Sequence, residues 1–192
     1  ESAVARNAML ARLAAVIEFA GRLGCGPLVF GSPKNRLKGA LTFEEAMSES
    51  IPVFRWIGGC AAKAGCTFCI EANAPGYGCD FATRLAEAAA LVEAIDHPSV
   101  GLVVDTGNME MVGDDVEDVR RVASAVRHLH ISRAWLRPVD RDALLARRVV
   151  DALVNVGFNG VGTIEMRSPD GNLDGADAAC RALETVRGWL DA

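Results

Sequence analysis

Four residues of this chain are of the types that hold divalent cations or move protons, and each lies in or just after a short apolar run. Glu71 follows Thr67-Phe68-Cys69-Ile70, Asp105 follows Gly101-Leu102-Val103-Val104, His130 sits within Leu129-His130-Ile131, and Glu165 follows Gly162-Thr163-Ile164. A buried carboxylate without a partner costs several kcal/mol or neutralises by raising its pKa. Three carboxylates and an imidazole at one end of adjacent strands would therefore repel one another or be stranded. Gathered round one divalent cation, they are satisfied together. Three oxygen ligands and one nitrogen suit Mn²⁺ or Mg²⁺ and accommodate Co²⁺ or Zn²⁺. Taken singly, each acid reads as an ordinary strand-end residue facing solvent or a neighbouring Arg. The recurrence in successive units carries the metal reading.

The elements that must position these residues alternate along the chain. Helical spacing covers 3–23, 42–64, 81–95, 115–126, 140–156 and 176–190, with Gly24 and Gly65 as stops and Glu44 and Glu45 in the first turn of the second helix. Between them lie short, nearly continuous apolar stretches at 28–30, 66–71, 101–104, 128–131 and 161–166. Strands of that kind, buried on both faces and separated by helices, predict an α/β fold with an all-parallel sheet. No G-x-G-x-x-G is present, which removes the main support for a dinucleotide-binding sheet. Acids at the C-terminal ends of the strands favour a barrel, whose active sites lie on that face.

Composition narrows the function classes. The 192 residues are 51% hydrophobic and 23% charged, as expected of one globular domain spanning 1–192. A net charge of −5 leaves no basic footprint for nucleic acid, and no apolar run reaches the roughly 18 residues of a membrane span. A cytoplasmic chain with reduced cysteines is expected. Cys66-x-x-Cys69 lies in an apolar run, where alternation places the two thiols on opposite faces, and no second pair completes a zinc site. His128, two residues before His130, shares its face if the strand is regular and could support it as a hydrogen-bonding partner. His97, before Pro98, reads as a loop residue, and Trp56 and Trp189 as helix packing residues.

The stretches LVFGSPKNR (28–36), IEANAPGYGCDF (70–81), VGLVVDTGNM (100–109), HLHIS (128–132) and TIEMR (163–167) resemble, in order, the sugar phosphate isomerase/epimerase group of the xylose-isomerase-like barrel superfamily, which includes ketose 3-epimerases. The separations of the four polar residues, 34, 25 and 35 positions, also match the spacing of that family's metal ligands. The resemblance implies a (β/α)8 TIM barrel, with Glu71, Asp105, His130 and Glu165 as ligands of one metal ion, foremost Mn²⁺. It further implies that Glu71 and Glu165 are catalytic, transferring a proton at the carbon next to a carbonyl through an enediolate. A small-molecule sugar or sugar phosphate is then the substrate, and a homo-oligomer is the expected assembly.

Substrate contacts are expected from Arg36 and Lys34, which could bind a phosphate or carboxylate, and from Arg167, Asn108 and Tyr77, the single tyrosine. Asn108 departs from the family, in which many members have a histidine three residues after the metal-binding Asp. It can hydrogen-bond a hydroxyl but cannot change charge near neutral pH. About five β-α units are countable, corresponding to strands 4–8 of the barrel, so the barrel is expected to be incomplete, its N-terminal strands missing. Position 1 is Glu rather than Met, consistent with a fragment. Alternative functions are a lyase of the same superfamily acting on an inosose or a dehydroshikimate-like acid, a DNA-repair endonuclease of the same barrel type, and a non-catalytic metal- or sugar-binding fragment. The endonuclease needs a metal cluster with many histidines, and three histidines with an acidic net charge argue against it.

Overall fold

Helix formation in this chain is signalled at its ends as well as by its periodicity. Thr42 accepts from the backbone N–H of Glu45 while the Glu45 side chain accepts from the Thr42 N–H, a capping box that starts α2 (Phe43–Ala64). Gly65 ends it at φ 71°, a left-handed conformation that a Cβ would strain. The computed structural model describes residues 3–168 and 175–190. Among them the other helices are α1 (Ala3–Arg22), α3 (Leu85–Ile95), α4 (Thr106–Val112), α5 (Val116–Val122), α6 (Leu144–Asn155) and α7 (Ala176–Leu190).

The strands β1 (Pro27–Phe30), β2 (Thr67–Glu71), β3 (Val100–Asp105), β4 (Val126–Ser132) and β5 (Val161–Glu165) form one parallel sheet in sequential order. With helices covering one face, the result is the open half of a (β/α)8 barrel. Phe68, Ile70, Leu102, Val104, Leu129 and Ile131 point from the sheet into the core shared with Ile57, Leu91, Val119 and Leu153 of the helices. The alternate residues of the strands, including the four polar ones, line the inner face.

One irregularity determines which residues of β4 reach that inner face. The register between β3 and β4 shifts, pairing Leu102 with Val126 and Val103 with His128, so Arg127 is left over as a bulge. Val126, Leu129 and Ile131 all belong to the helix-side core, which regular alternation forbids. Without the bulge, His128 and His130 would share the parity of Val126 and turn toward the helices.

Several boundaries differ from the sequence expectation. The helix expected over 81–95 starts at Leu85, because Ala82 has a positive φ of 55° and Arg84 is the N-cap. The stretch 115–126 is a shorter helix followed by a 3-10 turn at Ala123–Ala125 and the first residue of β4. The helix expected from 140 begins at Leu144. α4 was not anticipated: it starts at Thr106, directly after β3, capped by Asp105 itself. Trp189 is buried, but Trp56 is exposed and does not act as a packing residue. The six cysteines are free, and Cys66 and Cys69 are both buried, burial pushing the Cys69 thiol up to about 11.

Among the described residues β1 and β5 each have one strand neighbour, so both edges of the sheet are open. Val161 on β5 is 61% exposed, and Val16 and Phe19 on α1 and Leu23 just after it are in solvent. Unpaired strand edges beside exposed apolar side chains are templates for association. The 192-residue chain by itself is expected to self-associate or to unfold without a sharp transition. Sedimentation velocity combined with thermal melting checks this; a monodisperse monomer with one cooperative transition would contradict it.

Candidate metal centre

The parallel register brings the four polar residues to one end of the sheet. Glu71, Asp105 and Glu165 are the last residues of β2, β3 and β5, whereas His130 lies two residues inside the end of β4, opposite Asp105. Each offers one ligand atom, and all four atoms lie within 4.8 Å of one another. His130 Nδ1 is 2.7 Å from Glu71 Oε1, 3.4 Å from Glu165 Oε2 and 3.5 Å from Asp105 Oδ2. Glu71, Asp105 and His130 are buried; the Glu165 side chain is 50% exposed.

Three carboxylates around one imidazole set its charge. Burial works against a protonated His130, but hydrogen bonds to Asp105 and Glu71 and the charges of Glu71 and Glu165 outweigh it, pushing the pKa up to about 10. Burial raises the Glu165 pKa, with Asp105 and Glu71 adding to the rise and His130 opposing it. Even protonated, His130 has a single N–H on Nδ1 for three facing oxygens. A divalent cation fits this donor set better than a proton, since it accepts from all four atoms at once.

The oxygens of Asp105 and Glu71 not turned toward His130 are held by the protein. Asp105 Oδ1 accepts from the Asn108 N–H at 2.6 Å and the Ser132 hydroxyl at 2.9 Å, so the residue that caps α4 also presents its second oxygen to the cluster. Glu71 Oε2 accepts from Asn73 Nδ2 at 2.9 Å. Gly31 makes room for that oxygen: a Cβ there would come within 1.9 Å of it. His128 lies beside the cluster with its ring 5.0 Å from that of His130, at 88°, and its Nε2 is 3.2 Å from the Thr163 hydroxyl. Burial, then the neighbouring His130, lower its pKa. It contacts the His130 ring edge-to-face instead of hydrogen-bonding it.

The expected substrate residues separate into groups. Asn108 is buried beside Asp105, its Oδ1 accepting from the Ala74 N–H at 2.9 Å. Arg36 is also buried and reaches Asn73. Lys34 and Arg167 are exposed, and no hydrogen bond or ion pair joins either to the four ligands. Tyr77, in the loop after β2, accepts through its hydroxyl from the Trp135 N–H, and the two rings meet edge-to-face at 5.4 Å. Trp135 and Leu136, in the loop after β4, have positive φ of 62° and 55°, strain that bulky residues rarely carry. Asn73 and Ser132 lie inside the family-like stretches but, like Trp135, carry no individual signal in the sequence, because a loop Asn, Ser or Trp is common and only residues distant in the chain give each its contact. His97 lies in a loop, its Nδ1 accepting from the Ser99 N–H.

Comparison with known proteins agrees with this fold. The family model described as xylose isomerase-like TIM barrel matches residues 1–188. Among curated proteins no match is found. A solved D-psicose 3-epimerase with D-tagatose, from Clostridium cellulolyticum H10, superposes with a TM-score of 0.76 at 17% identity, covering 97% of this chain and 69% of the other. An L-ribulose 3-epimerase superposes with a TM-score of 0.80 at 18% identity, covering 95% and 67%. The IOLI protein with a bound zinc atom gives 0.77 at 18% identity, covering 98% and 71%. At these identities the superpositions show a shared fold.

The elevated His130 pKa sets a pH dependence for the metal-free chain. A group whose pKa rises from about 6.5 unfolded to about 10 folded contributes stability that is fully present below about pH 6.5. That contribution is lost as pH rises toward 10. Urea unfolding in the presence of a chelator should therefore show stability falling between pH 6.5 and 10, with a shallower fall in His130→Gln. Equal slopes in the two proteins would contradict the assignment.

Proposed function

The chain belongs to the xylose isomerase-like TIM-barrel family, and from that premise we propose that it is a divalent-metal-dependent sugar or sugar-phosphate epimerase or isomerase, with Mn²⁺ as the favoured ion. The observation that carries the proposal is the convergence of Glu71, Asp105, His130 and Glu165 within 4.8 Å at the C-terminal mouth of the sheet. Held by these four side chains, a divalent cation would supply Lewis-acid polarisation of the substrate's carbonyl and hydroxyl oxygens, which would favour loss of the neighbouring proton. The likeness in fold to D-psicose and L-ribulose 3-epimerases supports a ketose as the substrate class.

In this reading the two glutamates divide the proton transfers. One carboxylate takes the proton from the carbon next to the ketone. The C–H electron pair becomes a C=C bond, and the carbonyl pair moves onto oxygen. The other glutamate, starting as the acid, delivers a proton to the opposite face of the same carbon as the electrons return. No redox change occurs, and the product is the epimer. An aldose–ketose isomerase would return the proton to the adjacent carbon with the same groups.

Asn108 shapes recognition through its amide. Its carbonyl is taken by the Ala74 N–H, so its NH₂ is the end left for a substrate hydroxyl oxygen. Tyr77 and Trp135 close one side of the mouth. Arg167 and Lys34, both exposed, are the cations available to a phosphate.

Glu71→Gln and Glu165→Gln test the assignment. Each should lower kcat for ketose epimerisation about 100-fold or more, and Glu71→Gln should also reduce Mn²⁺ bound per chain after purification. Exchange of the α-proton with deuterated solvent, followed by NMR, reports the chemistry directly. Unchanged stoichiometry and exchange in both variants would remove the proposal, and exchange accompanied by loss of water would indicate a lyase instead.

A further inference from the structure

Behind the metal centre lies a guanidinium that pairs directly with no carboxylate among the described residues. Arg36 is 5% exposed and lies over the Phe30 ring, its central carbon 5.6 Å from the ring centroid. One nitrogen donates to Asn73 Oδ1 at 2.5 Å, while Nε and Nη1 are sealed from solvent with no hydrogen-bond partner among the described residues. Burial holds its pKa below the ordinary value, with Cys79 and Glu71 opposing the fall. A cation enclosed in this way cannot reach a phosphate or carboxylate in the mouth without leaving its site. Its contact with the centre runs through Asn73, whose Nδ2 donates to Glu71 Oε2 at 2.9 Å and to the Ala72 carbonyl at 3.1 Å.

We propose that Arg36 is a positioning residue that acts through Asn73 on Glu71, dictating which end of the Asn73 amide faces the carboxylate. This rests on the metal-centre reading above. The chemistry leaves one arrangement. A guanidinium has donors only, a carboxylate acceptors only, and the amide between them has one end of each kind. With its oxygen toward Arg36 and its NH₂ toward Glu71, both contacts are attractive. Flipped, the amide would set donor against donor and oxygen against oxygen. Gly31 provides space for Oε2 and Asn73 pins it, which leaves Oε1 aimed at His130. Arg36 thus fixes the rotation of a ligand that it does not touch, and its own positive charge offsets part of the cluster's negative charge at a distance.

A double-mutant cycle on Mn²⁺ affinity, measured by electron paramagnetic resonance without substrate, separates this role from the alternatives. Arg36→Met and Asn73→Ala should each weaken Mn²⁺ binding about tenfold to hundredfold. The double variant should lose no more than either alone, because both remove the same constraint. Additive losses, or unchanged affinity in folded Arg36→Met, would overturn the proposal. An Arg36 that bound the substrate anion would instead raise KM and leave Mn²⁺ affinity intact. If Arg36→Met does not fold, Arg36→Gln serves in the same cycle, since an amide at position 36 can present either end and no longer dictates the orientation of Asn73. Wild-type chain that binds Mn²⁺ but exchanges no ketose α-proton counts against the reaction alone. A failed cycle with exchange intact counts against the relay alone, and a wild-type chain that binds no Mn²⁺ overturns both.

Discussion

Three carboxylates converge on one imidazole at the mouth of this sheet, and their mutual repulsion is the constraint that the surrounding structure meets. Glu71, Asp105 and Glu165 each bring an oxygen to within 3.5 Å of His130 Nδ1. Such a group of like charges is stable only where each carboxylate is held by donors and the remaining oxygens share a cation. The structure meets the first condition at two of the three acids. Asp105 receives a backbone N–H and a hydroxyl, and Glu71 receives an amide N–H. The second is met by the imidazolium in the metal-free chain and, in our reading, by a divalent ion in the working protein.

Asymmetry in support follows from the one-sided architecture. Glu71 and Asp105 come from β2 and β3 in the middle of the sheet, where strands flank them on both sides. Glu165 comes from the open edge strand β5 and is half exposed. The cluster therefore has two rigid acids and one that solvent reaches, a distribution set by position in the sheet and not by residue type. The same one-sidedness puts the apolar core between sheet and helices, so the inner face is free to carry polar residues without opening the core.

The loops at the mouth add a further layer. The Tyr77 hydroxyl accepts from the backbone of Trp135, and the Leu136 carbonyl accepts from the backbone of Arg167. These bonds tie together the loops after β2, β4 and β5, and they hold Trp135 and Leu136 in a left-handed conformation that neither would adopt alone. Loops fastened to one another in this way keep a common geometry around the site.

Much of this protein was legible in its residues. The alternation of apolar strands and helices indicated a parallel α/β architecture, because burial on both faces of a strand leaves a continuous apolar run. Glu71, Asp105 and Glu165 stood out because an acid at the end of such a run is unexpected on packing grounds. What the sequence did not decide was which face each residue of β4 would take. His128 and His130 share a parity with Val126, and only the bulge at Arg127, a consequence of pairing β4 against β3, turns both histidines inward. The contact between Arg36 and Asn73 was equally hidden: the residue type at 36 suggested a ligand for a substrate phosphate or carboxylate, whereas a hydrogen bond across 37 positions joins the two buried side chains. Local sequence determines how a segment folds and what chemistry its side chains offer. Register and long-range contact decide which of those side chains meet, because they depend on strands that are distant in the chain and adjacent only once folded.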